Sequence, residues 1–259
     1  MLTGDVMKNK TIKAESKTLI SGNRGKALLI VLFGILFCAF MTAIIFGAIL
    51  ISRIFKDFGI AVTIASAAIL IFLSLITLCV YSSAAIGEKA WYCGLTGNKR
   101  NCARRLFFWF RPKNAFRALW FNVLLFLIKT MWAIVFFLPS IIVLWSVYYL
   151  SASGGLELYL FISLAVGGVL LAVSGLVFYL IATERYFIAG YLFSSDPRLS
   201  AMTAIRQSKN LLDGHIFEIV RFKLSFIPWI LSCIFIAPAF YVIPYYKESC
   251  CMVAKKITL

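Results

Sequence analysis

Charged side chains and histidine are scarce in this sequence. Charged residues make up 14% of its 259 positions, and there is a single histidine, His215. A water-soluble domain of this length would carry about a quarter charged residues. An enzyme needs acids, bases, nucleophiles or metal ligands held together, and the sequence contains no G-x-S-x-G, H-E-x-x-H or P-loop pattern. We therefore expect no catalytic residue, no cofactor and no enzymatic activity.

Cysteine spacing does not suggest a metal site or a disulfide framework. Three of the seven cysteines lie in long apolar runs, where cysteine behaves as a small hydrophobic residue: Cys38, Cys79 and Cys233. The other four lie in polar segments: Cys93, Cys102, Cys250 and Cys251. A zinc site built from these four would have none of the usual ligand spacings, and we expect no bound metal.

Long apolar runs dominate the sequence instead. Apolar and aromatic residues make up 62% of it, and the mean hydropathy is +0.95. A helix needs about 20 apolar residues to cross a membrane, and five runs meet that length: 27–51, 58–87, 130–150, 158–183 and 224–246. Because lipid offers no hydrogen-bond partners to the backbone, such runs form helices. The sequence predicts an all-α polytopic integral membrane protein, a single membrane domain with about five transmembrane helices.

The fifth run differs from the others in its prolines, which break hydrogen-bonded helices. Pro228, Pro238 and Pro244 all lie within it. This segment either crosses the membrane, re-enters on the same side, or makes room for a sixth span. The proline in the third run, Pro139, predicts a kink there.

Positive charge is unevenly distributed along the chain. The net charge is +16, with six Lys and Arg residues in 1–26, two in 52–57, eight in 88–117, none in 151–157 and six in 184–223. Lys and Arg accumulate on the cytoplasmic side of membrane proteins, so topology explains this charge better than nucleic-acid binding. The pattern predicts a cytoplasmic N-terminus, 1–26, in a multipass protein of the plasma membrane. Three further lysines after Tyr246 leave the side of the C-terminal tail open.

Two segments are predicted to lie along the inner membrane surface. Residues 106–128 and 197–213 combine aromatic or apolar side chains with arginines, a pattern typical of the headgroup level. Lys129 then marks the inner boundary of the third span and reaches toward water, or it is a functional buried lysine. Arg104 and Arg105 precede the first surface segment.

Two similar octapeptides precede apolar runs. "SKTLISGN" spans 16–23 and "SKNLLDGH" spans 208–215, with Ser, Lys, Leu and Gly at the same places. Glycine readily ends a helix, so Gly22 and Gly214 are predicted to turn the chain from the membrane surface into a span. The pair suggests a weak internal repeat, with chance identity as the alternative.

The second octapeptide also carries a family resemblance. Ser208, Lys209, Gly214 and His215, then 224–229 and Pro244–Tyr245, resemble a bacterial multipass membrane-protein family known only as domain of unknown function nine-seven-five, best over 196–246. Leu212 and Pro228 depart from the family pattern. The resemblance implies a bacterial multipass protein and brings no activity with it.

These observations favour a non-enzymatic membrane protein that binds anionic lipid headgroups, or a membrane partner, in envelope maintenance. The residues expected to contact headgroups are Arg104, Arg105, Lys129, Lys209 and His215. Those expected to shape the backbone are Gly22, Pro139, Gly214, Pro228 and Pro244. The alternative is a transporter, or a transporter subunit, for a hydrophobic or amphipathic molecule. Membrane lipids, a membrane protein or a second copy of the chain are the expected partners, and nucleic acid is not.

Overall fold

The described chain is helical throughout. The computed structural model describes residues 9–54, 60–97, 102–152 and 157–258, and no strand occurs in these ranges. Their helices are α1 (Asn9–Gly22), α2 (Arg24–Ile54), α3 (Ile60–Thr96), α4 (Cys102–Phe108), α5 (Pro112–Ala152), α6 (Leu158–Glu184), α7 (Ala189–Ser195), α8 (Ala201–Leu212), α9 (Ile216–Leu224), α10 (Ile227–Ser232) and α11 (Ile236–Thr258). The predicted all-α class is confirmed.

Four of the described stretches are long and apolar enough to cross a membrane. They are Arg24–Gly47, Ile64–Thr96, Pro112–Ala152 and Leu158–Ser195. In the most apolar window of each stretch, at most 11% of the residues are buried against the rest of the protein. Apolar side chains that face outward along a whole helix are typical of contact with lipid.

These helices pair as two hairpins, α2 with α3 and α5 with α6. The second hairpin is closely packed because α6 presents glycines to α5. A Cβ at Gly175 would stand 2.6 Å from the Phe136 carbonyl oxygen, and one at Gly168 would stand 2.7 Å from the Leu144 side chain. Small residues allow transmembrane helices to approach in this way.

The buried core lies at one end of the hairpins. It gathers α1, the end of α3, the start of α5, and α7, α8, α9 and α11. Phe121 of α5 stacks on Phe193 of α7, with ring centroids 4.6 Å apart and planes 8° apart. The short helices therefore form a compact base from which the four long helices extend.

Helix α5 corrects one predicted boundary. Residues 106–128 were expected to lie on the membrane and 130–150 to cross it, yet Pro112–Ala152 is one helix of 41 residues. Such a helix is about 61 Å long, roughly twice the thickness of the hydrocarbon core. Its first part is covered by protein, since Ala115, Ala118 and Phe121 are buried.

Helix α8 is also placed differently from its prediction. The sequence suggested a surface segment over 197–213, but α8 begins at Ala201, where the Ser200 Oγ accepts the Thr203 N–H at 3.2 Å. Its inner face is buried against the protein and not left free for a membrane: Ala201, Ala204, Ile205, Ser208 and Leu212. Met202, on the outer face of the helix, is 44% exposed.

The predicted fifth span is not one helix. Residues 224–246 cover the end of α9, all of α10 and the first half of α11. The chain leaves the core at Phe226 and returns at Tyr245 and Tyr246, whose ring centroids each lie 5.3 Å from that of Phe226. Between these points it exposes apolar side chains, among them Ile234 and Phe235.

The two glycines of the octapeptides have different conformations. Gly214 has φ +88°, and the described residues contain no other glycine with positive φ. Gly22 is the last residue of α1, and α2 follows after Asn23 alone. Gly22 thus ends its helix without a positive φ, and α1 lies in the core through Ile12 and Ile20.

The prolines interrupt fewer helices than expected. Pro139 lies inside α5 and Pro244 inside α11, and both helices continue through them. Pro228 stands in the first turn of α10, where proline is well tolerated. The breaks in the last segment occur at 225–226 and 233–235, on either side of α10.

Candidate functional site

A basic cleft lies in the base, where α3, α4 and α7 meet. It encloses about 300 Å³. The residues that line it include two arginines and no acidic side chain: Ala90, Arg104, Arg105, Phe108, Trp109, Ser194, Ser195 and Pro197. Arg104 is exposed and Arg105 is half-buried. The cleft therefore presents positive charge to a space that can hold a small group.

Aromatic packing fixes the wall of this cleft. Trp109 is 1% exposed, and its ring lies 5.8 Å from that of Phe108 and 5.1 Å from that of Phe193. The Asn114 Nδ2 donates to the Phe108 carbonyl at 3.0 Å and so closes the turn from α4 into α5. The arginines of α4 are thus held on a rigid support.

Arg117 of α5 binds the segment that joins α7 to α8. Its guanidinium donates to the Pro197 carbonyl and, at 2.9 Å, to the Leu199 carbonyl. It also lies 5.5 Å from the Phe193 ring centroid. These bonds hold the segment between α7 and α8, which carries Pro197 of the cleft, against α5.

A second polar feature is a layer of charges where the long helices enter the base. The Lys247 Nζ lies 2.5 Å from the Glu88 Oε1, and the Lys223 Nζ lies 2.5 Å from the Glu184 Oε2. Both pairs are partly buried, and they join α11 to α3 and α9 to α6. Charges at this level allow apolar helices to leave the base without burying a lone ion.

Lys129 and Lys89 belong to the same layer. Lys129 interacts electrostatically with Lys223 and Glu184. Lys89 interacts in the same way with Lys129, Glu88 and Lys247. Lys129 therefore lies among protein charges, half-buried on α5. Its predicted contact with headgroups stays a prediction.

Lys209 and His215 lie apart from the cleft and are not among its lining residues. Lys209 is exposed on α8. His215 is partly exposed, and its Nδ1 lies 3.5 Å from the Glu218 Oε2 one helical turn ahead. Of the five predicted headgroup residues, the structure brings together Arg104 and Arg105.

An apolar groove of about 400 Å³ opens between α2, α3 and α11. Its walls are mostly aliphatic and aromatic, with Phe33, Phe37 and Leu106 among them, and the Glu88–Lys247 pair stands at its polar end. An amphipathic molecule has the matching chemistry, apolar along most of its length and polar at one end.

Comparison with known proteins places the chain in a family. Residues 7–258 match the family described as "Protein of unknown function (DUF975)". The chain belongs to the DUF975 family. The match spans nearly the whole chain, beyond the resemblance at 196–246. No curated protein and no solved structure matches the chain.

Sequence reasoning missed a buried acid of this DUF975 chain. Glu248 of α11 is fully buried. Thr96 donates its hydroxyl to the Glu248 Oε1 at 2.8 Å, while the Oε2 is buried and has no hydrogen-bond partner among the described residues. Burial raises the pKa of Glu248 to about 7, since the apolar surroundings penalise its charged form. No sequence pattern pointed to it, because Glu248 meets Thr96 only through the packing of α11 on α3.

Metal binding finds no support in the described ranges. No group of three or more His, Cys, Asp or Glu side chains is placed to hold an ion there. Cys250 and Cys93, two of the four cysteines considered for zinc, lie in different core clusters. The Cys102 side chain lies outside the described part.

Proposed function

We propose that this DUF975 protein is a non-enzymatic integral membrane protein that holds the headgroup of an anionic lipid in the basic cleft. The observation that carries the proposal is the lining of the cleft, which surrounds a space of about 300 Å³ and includes Arg104 and Arg105 but no acidic side chain. A role in maintaining the cell envelope follows from such binding.

Arginine suits a phosphate-bearing headgroup. Its planar guanidinium donates parallel hydrogen bonds to phosphate oxygens and stays charged at all physiological pH values. The cleft lies at the base end of helices that are apolar enough to cross a membrane, which is the depth at which lipid phosphates lie. The acyl chains of the lipid would extend along the exposed apolar helices.

The proposed topology has four crossings, with the base on the cytoplasmic side. Segments 1–26, 88–117 and 184–223 all contribute to the base, and they hold most of the 26 Lys and Arg residues. The segment between Phe226 and Tyr245 would enter the membrane and return, because α11 rises only about 14 Å from Ile236 to Tyr245. Lys247, Lys255 and Lys256 then join the other basic residues inside.

Native mass spectrometry of the protein released in mild detergent tests the proposal. The purified protein is titrated with phosphatidylglycerol or with phosphatidylcholine, and the fraction carrying lipid is measured. We expect preferential binding of phosphatidylglycerol, and a loss of about tenfold or more in its affinity in Arg104→Ala/Arg105→Ala. Hydrogen bonds to charged groups contribute roughly 1.5–3 kcal/mol each, which sets that magnitude.

The matched control is Arg206→Ala/Arg221→Ala. This variant also loses two positive charges, but both arginines are exposed on other helices and do not line the cleft. We expect its affinity to change less than about twofold, since screened surface charges contribute little. Equal losses in both variants would contradict a site in the cleft and would indicate a general attraction to positive charge.

A second candidate function is transport of an amphipathic molecule, and the apolar groove favours it. Its aliphatic walls and the Glu88–Lys247 pair at one end match a lipid-like substrate. The test is the movement of a labelled phospholipid between the leaflets of liposomes that contain the protein. Transport that is lost in Glu88→Gln, with protein content unchanged, would favour this function over binding alone.

A further inference from the structure

Two cysteines from distant parts of the chain meet in the base. The sulfur atoms of Cys93 on α3 and Cys251 on α11 lie 3.1 Å apart, and the Cys251 thiol donates to the Cys93 Sγ. The residues are separated by 158 positions. Sulfurs at this separation need only a small movement to reach bonding distance.

A cavity of about 200 Å³ opens directly onto this pair. Both cysteines line it, and Gly97, Lys255 and Thr258 at its rim are exposed. Lys255 also donates to the Thr96 carbonyl at 3.1 Å and so holds the end of α11 against α3. A small neutral reagent therefore has a route from the surface to the two sulfurs.

Neighbouring thiols lack these features. Cys250 is buried and is not among the residues that line this cavity. Among the five free cysteines that the structure describes, Cys93 and Cys251 are the two whose sulfurs are in contact. Cys250 is thus an internal control one residue from the pair.

We propose that Cys93 and Cys251 are a redox-active dithiol that forms a disulfide between α3 and α11 on reaction with a small-molecule disulfide. In the first step, one cysteine loses its proton and attacks the reagent, forming a mixed disulfide and releasing one thiol. In the second, the other cysteine attacks the protein sulfur of that mixed disulfide and releases the second thiol. Two protein thiols and one disulfide thus yield one protein disulfide and two small thiols.

The disulfide would join α3 to α11 covalently within the base. The Cys251 side chain packs in one cluster with Trp91 and Tyr92 of α3, so the link would prevent α11 from separating from α3. In a reducing cytoplasm the pair stays as thiols, and an oxidising condition would close it. The proposal is independent of lipid binding in the basic cleft.

Peptide mass spectrometry after oxidation tests the proposal on the full-length protein in detergent. The protein is treated with bis(2-hydroxyethyl) disulfide at neutral pH, its remaining thiols are alkylated, and its peptides are analysed. We expect a cross-linked peptide pair containing Cys93 and Cys251, which a reductant removes. It should form at least about tenfold faster than any other cross-link, because its second step is intramolecular.

Two variants make the outcome specific. Cys250→Ser should retain the Cys93–Cys251 cross-link, whereas Cys251→Ser should lose it and leave Cys93 alkylated or bound to the reagent. Should Cys251→Ser fail to fold, the wild-type protein denatured in sodium dodecyl sulfate replaces it, and there the preference for the pair should vanish. Alkylation of both Cys93 and Cys251 in the treated folded protein, or a dominant link through Cys250, would overturn the proposal.

Discussion

At the scale of single residues, Glu248 shows how burial among the short helices of the base changes the ionisation of a side chain. The groups facing it include Thr96, Tyr92 and Cys93 of α3 and, on its own helix, Cys251 and Lys255. Among the described residues, only the Thr96 hydroxyl bonds to it directly. Its pKa rises from an ordinary 4.5 to about 7, chiefly through burial. The folded protein therefore holds a proton there that the unfolded chain releases at lower pH.

This raised pKa predicts a stability that falls as pH rises. Between about pH 4.5 and 7 the folded state binds more protons at Glu248 than the unfolded state, so stability decreases across that window, by up to about 3 kcal/mol. In Glu248→Gln the decrease should be smaller and the melting temperature at pH 8 higher than in the wild type. Thermal unfolding in detergent at pH 5 and pH 8 measures both, with the exposed Glu157→Gln as control. An unchanged pH dependence in Glu248→Gln would contradict the assignment.

Gly214 and Gly22 provide a second test at this scale. An alanine at Gly214 would have to adopt φ +88°, which costs an L-residue about 1–2 kcal/mol. Gly22 is helical, and a Cβ there would meet no atom within 4 Å. We therefore expect Gly214→Ala to lower the melting temperature and Gly22→Ala to leave it unchanged or raise it. Equal effects would instead support the equivalent turns that the octapeptides suggested.

At the scale of helices, the contact between α5 and α6 depends on a close approach of backbones. Gly168 and Gly175 belong to a stripe of small residues on α6 that packs closely against α5. Such stripes can be found in a sequence because their spacing follows the helical repeat. The sequence could not show which helix such a stripe contacts, because any apolar neighbour would satisfy the same pattern.

Gly175→Ala should weaken this hairpin. The added Cβ would stand 2.6 Å from the Phe136 carbonyl oxygen, a backbone atom that cannot move without separating the helices. Gly167→Ala is the matched control, because a Cβ there meets nothing within 4 Å and alanine favours a helix by up to about 1 kcal/mol. We expect a lower melting temperature in the first variant and no loss in the second. The same loss in both would mean that the contact does not limit stability.

Helices α5 and α8 show that the sequence could not reveal which partner covers a helix surface. Apolar periodicity identified the amphipathic face of α8, which carries Ile205 and Leu212, but an amphipathic face fits a membrane surface and a protein core equally well. Lys129 suggested the end of a span, yet a charge can also pair with neighbours while the helix continues through it. Both errors arise because the partner of a surface is decided by residues far away in the chain.

At the scale of the whole molecule, the fold separates two environments. The four long helices expose apolar side chains, while the ion pairs, the basic cleft and the cysteine pair lie in the base. Composition was enough to predict the membrane class, because uninterrupted runs of about 20 apolar residues are rare outside membrane-spanning helices. The cleft could be predicted only as two adjacent arginines, since its other wall, Ser194 to Pro197, comes from a distant segment.

The base also joins the two ends of the described chain. Ile12 of α1 packs in one cluster with Val253 of α11, and the Ser16 hydroxyl donates to the Met252 Sδ at 2.9 Å. Both helices lie at the same end of the long helices, and the proposed topology therefore has an even number of crossings between them. The central claim of the proposed topology is this one-sided organisation, in which the cleft and the cysteine pair would lie on one face of the membrane.

Accessibility of tags on the two termini tests that claim most directly. One epitope tag is fused before α1 or after α11, and antibody binding is measured on sealed vesicles of known orientation, with a tag inserted beside Glu157 between α5 and α6 as the marker of the opposite side. We predict that both terminal tags bind antibody on the same face and the Glu157 tag on the other. Terminal tags on opposite faces would contradict the account and would mean that 224–246 crosses the membrane.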